Sequence, residues 1–226
     1  FTGGALSSIE VKSGKNASGG MILRSEFLVG QNMVINDAKD LKSAGIGKIS
    51  ASGVIEDSVF AALGNIGSIS AGGDVDGVTI IAGVNAGSVL FTADDQYHRH
   101  ASIASVKFMS ALRNSSLVQG LNPGTDFAWG GGTGDAADTV GEAISGLKIG
   151  KIGAISLGAT TVGSGVLKAV SGPANAPHSF AIEGLELTKL QIGKLPTVKT
   201  FTQPQWMDAD GDGIEDADEL LVRTMG

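Results

Sequence analysis

The sequence predicts an all-β chain: a parallel β-helix of about twenty residues per turn, with a short acidic C-terminal appendage. Three observations carry that expectation. The phrase Ile46-Gly47-Lys48-Ile49-Ser50-Ala51-Ser52-Gly53 recurs twenty positions later as Ile66-Gly67-Ser68-Ile69-Ser70-Ala71-Gly72-Gly73, and the phase continues with Ile55 on Val75 and Ala62 on Ala82. A fixed period of this length marks a solenoid, in which each unit buries its apolar face against its neighbours. Aromatic residues make up only 5% of the chain and 35 residues are Gly, so the core must use small and β-branched side chains, with Gly at the corners. The charge is concentrated: of a net −7, −6 falls between Met207 and Gly226, where seven carboxylates face a single Arg223.

That balance leaves a nearly neutral body and offers no basic stripe, which argues against nucleic acid as a partner. No apolar run approaches the roughly 18 residues of a membrane span. Cys is absent. Stacked strands of this length bury enough aliphatic surface to do without disulfides, so the composition is compatible with export. No basic-then-apolar leader opens the chain, so a signal peptide is expected to have been removed or to lie outside this sequence.

The elements follow in order. Leu6-Ser7-Ser8-Ile9-Glu10-Val11 has the apolar spacing of Ile46, Ile49 and Ala51, so the repeats begin near the N-terminus without a capping helix. Met21 to Val29 is strand-like, and Met33-Val34-Ile35 is expected to form another short strand between turns at Asn32, Asn36 and Asp37. The two clear repeats follow, and a third is expected at Ala86-Gly87-Ser88-Val89-Leu90-Phe91. Polar insertions are expected near 94–101 and 120–146, with the apolar phrase resuming at Ile103 and Leu117 between them and at Ile149 to Ile155 after them. Val162, Val166, Leu167 and Val170 continue the pattern, and Phe180 to Ile192 supplies the last strands. The β-helix thus spans 1–195, on the order of eight to ten turns. An extended strap covers 196–206, and 207–226 holds a calcium loop and a short helix, about Asp216 to Arg223.

Leucine-rich repeats have a similar period, but they require an Asn ladder and a helical return, and neither is present. A parallel β-helix lays each strand about 4.8 Å from its predecessor, and right-handed crossovers are the rule for parallel strands. The two phrases at Ile46 and Ile66 resemble those of very large, repetitive β-helix surface proteins of planctomycetes and related bacteria. The resemblance covers most of residues 5 to 195. It implies an exported structural or adhesive role and carries over no catalytic residue.

The most specific chemical pattern is Asp208-Ala209-Asp210-Gly211-Asp212-Gly213-Ile214-Glu215-Asp216-Ala217-Asp218-Glu219. Counted from Asp208, carboxylates stand at positions 1, 3, 5, 9 and 12 with Gly at 6, the spacing that wraps a twelve-residue loop around one Ca²⁺. Asp208, Asp210 and Asp212 would give side-chain oxygens and Ile214 its backbone carbonyl. Asp216 would act directly or through water, and Glu219 would close the shell with both oxygens. The segment resembles thrombospondin type 3-like calcium loops and one half of a dockerin. A dockerin needs two loops and this sequence has one, which favours a structural calcium site.

Weaker candidates lie in the insertions. His98 and His100 follow Asp94 and Asp95 and form a metal candidate, against the reading of histidines solvated in a surface loop. A polysaccharide lyase or hydrolase would draw on Asp94, Asp95, Arg99, Asp126, Asp135 and Asp138, with Tyr97, Phe127 and Trp129 as sugar platforms. The expected function is a structural or adhesive protein outside the cell. Its partners are expected to be other copies, assembled head-to-tail into a fibre or layer, or a larger parent protein, or a cell-surface glycan. Calcium orders the C-terminal segment. The alternative is a carbohydrate-binding or polysaccharide-cleaving β-helix with its site in the insertions.

Overall fold

Strands form where an aliphatic residue alternates with a small or polar one, and they stay short because Gly, Asp or Asn interrupts them every few residues. A computed structural model of the chain describes residues 4–14, 19–86, 89–90, 92, 94–110, 112–123, 139–158, 181–192, 198–201, 205–206 and 221–224. In chain order the first pass comprises β1 (Ile9–Val11), β2 (Ile22–Leu23) and β3 (Glu26–Val29), followed by helix α1 (Ala38–Ser43). The second is β4 (Ile46–Ala51), β5 (Ile55–Glu56) and β6 (Val59–Ala62), and the third is β7 (Ile66–Ala71), β8 (Val75–Asp76) and β9 (Thr79–Ala82). A hairpin, β10 (Val84–Asn85) and β11 (Gln96–Tyr97), precedes the fourth pass of β12 (Ile103–Phe108), β13 (Leu112–Arg113) and β14 (Ser116–Gln119). After β15 (Leu121–Asn122) and β16 (Thr139–Val140) come β17 (Ile152–Leu157), β18 (Ala181–Gly184), β19 (Leu187–Ile192), β20 (Val198–Phe201), β21 (Gln205–Trp206) and β22 (Leu221–Thr224).

These strands make three principal sheets. The first has the order β1-β4-β7-β12-β17-β19-β20, the second β2-β5-β8-β13, and the third β3-β6-β9-β14-β18-β22-β21. Pairing within them is parallel except where β20 joins β19 and β21 joins β22. The chain is therefore all-β with parallel sheets, and it visits them in the same order on each of its first four passes, advancing one position each time. Twenty-residue spacing sets the register between the second and third passes: Ile46 lies on Ile66, Ile55 on Val75 and Ala62 on Ala82. Residues from all three sheets, among them Ile49, Ile55 and Phe60, share one apolar core. The Phe27 and Phe60 rings stack within it, 5.3 Å between centroids.

The turn from the second sheet to the third repeats on each of those passes. One residue adopts the left-handed region: Arg24, Asp57 and Asn114 at φ 46°, and Gly77 at 64°. Ser follows in three of the four. Its hydroxyl donates to the carbonyl two residues back, from Ser25 to Leu23 (2.9 Å), Ser58 to Glu56 (2.7 Å) and Ser115 to Arg113 (2.6 Å). The Ser58 and Ser115 oxygens also accept the N–H of Ser25 and Val78 from the preceding pass, both at 3.1 Å. A buried corner needs this, because an unpaired backbone N–H there is costly.

Several expectations are corrected. The pass that follows Ile66 begins at Ile103, its register partner, and not at Ala86. The stretch from Ala86 has the phase but lacks the two inward aliphatics that Ile103 and Val106 provide, and its Val89 is exposed. Met33 to Ile35 is not a strand. Asp37 instead caps α1, accepting from the N–H of Lys39 and Asp40 while Asp40 reaches back, a capping box that sets the helix start. Among the described residues, six parallel strands stand in register in each of the first and third sheets, where eight to ten turns are expected. Leu221–Thr224, expected to continue a helix to Arg223, is a strand parallel to β18. Its Leu-Val-Arg-Thr sequence suits a sheet position, and β18 offers the edge. Val162 to Val170 and Phe180 lie outside the described residues.

Candidate functional site

Three long connections leave at the same corner, between the third sheet and the next strand of the first: 30–45, 83–102 and 120–151. The second pass crosses there with only Leu63, Gly64 and Asn65. The 83–102 connection begins earlier and ends later than the expected insertion at 94–101, and the 120–151 connection begins where the expected insertion at 120–146 does and ends later. Gly83 and Gly120, at φ +96° and +69°, turn the chain outward directly after β9 and β14.

The 83–102 connection folds back as the β10–β11 hairpin over the outer face of the third sheet. Leu28, Ala61, Ile81 and Val118 on that face form a second apolar cluster with Val84, Ala86, Leu90, Tyr97 and Leu121. This is why the third-sheet strands read as continuous apolar runs rather than alternating ones: both faces are buried. Buried amides join the connections to the sheets. Gln31 Oε1 accepts from Ala86 N–H at 2.5 Å and its Nε2 donates to Val29. Gln119 Oε1 accepts from Leu185 N–H at 3.1 Å and its Nε2 donates to the Arg99 carbonyl. Nothing periodic announces these two residues. The one clue is a polar side chain ending an apolar strand, as in Leu117-Val118-Gln119-Gly120.

Where the three connections meet, a cleft of about 370 Å³ opens. Met33, Val34, Ile35, Leu63 and Ile144 supply its aliphatic surface, and Asn32, Asn85, Gln96 and Glu142 its polar rim. The Asn32 N–H donates to Asn85 Oδ1 at 3.1 Å, tying the first connection to the hairpin. Tyr97 is buried and donates its hydroxyl to Asp95 Oδ2 at 3.2 Å. Burial, followed by the Asp95 charge, pushes its pKa far above the usual phenol value, so it stays protonated.

His98 and His100, expected as solvated loop residues or metal ligands, are buried at 6% and 4% exposure. Each ring nitrogen has a backbone partner. His98 Nε2 lies 2.6 Å from the Leu63 carbonyl, and its Nδ1 accepts from His100 N–H at 3.2 Å. His100 Nδ1 lies 2.9 Å from the Lys148 carbonyl, and its Nε2 accepts from Ile144 N–H at 2.6 Å. A carbonyl partner requires a protonated nitrogen and an N–H partner requires a lone pair, so both rings are neutral and carry opposite tautomers. No lone pair remains to hold a metal.

Of the other sequence-predicted residues, Asp94 is exposed, and Asp95 accepts from the Thr92 N–H and hydroxyl as well as from Tyr97. Asp126, Phe127, Trp129, Asp135 and Asp138 lie outside the described residues. So does the entire calcium loop with Asp208, Asp210, Asp212, Ile214, Asp216 and Glu219. Among the described residues no group of three or more His, Cys, Asp or Glu is placed to hold a metal ion. The described residues on either side of the loop, Trp206 and Leu221, are register partners in the β21–β22 pair. No helix among the described residues is long and apolar enough to cross a membrane. No protein-family model, curated protein or solved structure matches the chain.

Proposed function

We propose that the chain is an exported structural or adhesive protein of a bacterial surface, a right-handed parallel β-helix that extends by joining further β-strand passes at its first edge. The observation that carries this reading is the state of that edge. Ile9, Val11 and Phe27 occupy register positions whose next-pass partners Ile49, Ala51 and Phe60 are buried, yet they are only half-buried themselves. Among the described residues no strand pairs with the outer side of β1, β2 or β3. Open parallel edges backed by uncovered apolar residues invite another strand, and a heterologous contact that does not close makes a fibre. The occupant is a second copy or a further part of a longer parent protein.

Calcium is the proposed cofactor, held by Asp208, Asp210, Asp212, Ile214, Asp216 and Glu219. The sequence spacing supports this, as does the pairing of Trp206 with Leu221, which sets the residues flanking the loop side by side. Seven carboxylates in twelve residues repel one another without the ion, so binding and ordering of the segment are coupled. Calorimetric titration is expected to give one Ca²⁺ per chain, and Asp208→Ala with Glu219→Ala to abolish it. A flat titration at millimolar calcium defeats the site. Electron microscopy with calcium and after chelation tests assembly. Filaments or sheets support it, and monodisperse particles in both conditions remove it.

The cleft favours a second reading, binding of a neutral cell-surface glycan. Amide and carboxylate groups around an aliphatic floor match a sugar's hydroxyls and its apolar face. Glu142 is the one carboxylate among the described lining residues, whereas glycosidic cleavage calls for a pair, so the cleft suits binding rather than hydrolysis. A glycan array is expected to give hits that Gln96→Ala and Glu142→Ala weaken. Hits that both variants leave unchanged place the glycan elsewhere.

A further inference from the structure

The histidine pair occupies the junction of three passes. His98 reaches the Leu63 corner of the second, while His100 holds Lys148 and Ile144 of the connection that follows the fourth. The same segment is tied to the hairpin arm by two backbone bonds, Glu142 N–H to Tyr97 (2.8 Å) and Arg99 N–H to Glu142 (3.2 Å). His98, Glu142 and Ile144 also line the cleft. The lone pairs on His98 Nδ1 and His100 Nε2 are each occupied by a backbone N–H, so a proton added to either ring sets two donors against each other and breaks that bond.

We propose that His98 and His100 form an acid-released latch: with both rings neutral, His100 clamps the 142–148 segment onto the hairpin arm while His98 anchors that arm to the Leu63 corner, and a proton on either ring breaks its bond and lets the segment and its wall of the cleft go. The charged and titratable groups around the pair are Asp95 and Tyr97 on the arm, Arg99 between the histidines, and Glu142 and Lys148 on the clamped segment. The Leu63 corner and the 33–35 segment across the cleft carry none. Asp95 is engaged by Thr92 and Tyr97, and the Glu142 and Lys148 side chains are exposed, while the Arg99 Nε is buried without a partner among the described residues. No carboxylate among the described residues makes an ion pair with either ring.

The direction follows from burial. Burial lowers the His98 pKa below its ordinary 6.5; the Leu63 carbonyl opposes this and His100 adds to it. Once released, the ring titrates near its ordinary value, so between the two values the open state binds more protons. The contribution of His98 to the latch is at full strength above about pH 6.5 and weakens as pH falls from there through its lower closed-state value.

Amide hydrogen exchange on the full chain between pH 7.5 and 5, corrected for intrinsic exchange, tests this. Opening at Ile144 and His100 is expected to rise by up to about tenfold per pH unit below about 6.5, while Ile49 and Ile69 keep their protection. Unchanged protection at Ile144 and His100, or loss in step with the core amides, overturns the latch. A His98→Gln, His100→Gln double variant is expected to lose the pH dependence, and Glu142→Gln to retain it; the reverse pattern overturns the assignment. If the double variant does not fold, imidazole ¹⁵N spectra of the unaltered protein decide. Opposite tautomers for His98 and His100 support the latch, and the same tautomer for both sinks it.

Discussion

Phe60→Ala is expected to lower the free energy of unfolding by about 3–5 kcal/mol, the range for removing a fully buried aromatic ring. Phe60 is 0% exposed. Its ring stacks on Phe27 on one side, and Ile80 follows it in register on the other. The column is built from consecutive passes, so neither neighbour can move into the void without shifting its own strand. Chemical denaturation monitored by far-UV circular dichroism measures the loss, and a change under about 1 kcal/mol would show that the ring is not packed as described. Phe27→Ala is the informative partner. Phe27 is only half-buried at the first edge, so its truncation is expected to cost clearly less in the isolated chain. In assembled material the two costs are expected to converge, because a strand added at that edge would cover Phe27.

Gly64→Ala is expected to destabilise by about 2–3 kcal/mol, at the upper end of the cost of inserting one methyl group into a tight site. An added Cβ would overlap the Leu41 carbonyl oxygen and lie 2.9 Å from the Ala44 carbonyl carbon. Both carbonyls belong to the C-terminal turn of α1 and are satisfied from this corner, by Asn65 N–H to Leu41 (2.8 Å) and Gly64 N–H to Ala44 (2.9 Å). A side chain here separates the helix end from its donors and leaves those carbonyls unpaired. Gly14→Ala is the control. Nothing lies within 4 Å of its would-be Cβ, and the change is expected within about 0.5 kcal/mol of zero. Equal effects at the two positions would mean that Gly64 is not confined by the helix.

The periodic part of the fold was legible because each strand's role is local. Ile46-Gly47-Lys48-Ile49 and Ile66-Gly67-Ser68-Ile69 place the same inward residues at the same intervals, and their pairing needs no information from elsewhere in the chain. The same rule misplaced the next pass at Ala86. A hairpin strand that covers the outside of a sheet uses the same small and aliphatic residues as a strand within it, and only Val89's exposure and the pairing of Val84 with Tyr97 separate the two. Helix α1 was missed although Asp37-x-x-Asp40 carries its capping signal, because six residues are too few for a helical apolar period to register.

The cleft and the histidine latch were not legible at all. His98 and His100 look like polar residues in a polar insertion. Their burial depends on Leu63, Ile144 and Lys148, contributed by stretches up to 48 positions away. The sequence by itself determined the class of the fold, an all-β chain with parallel sheets, because aliphatic spacing and corner chemistry act within each pass. Tertiary structure alone decided which residues meet at the corner, since that depends on where the stacking sets three connections of unequal length side by side.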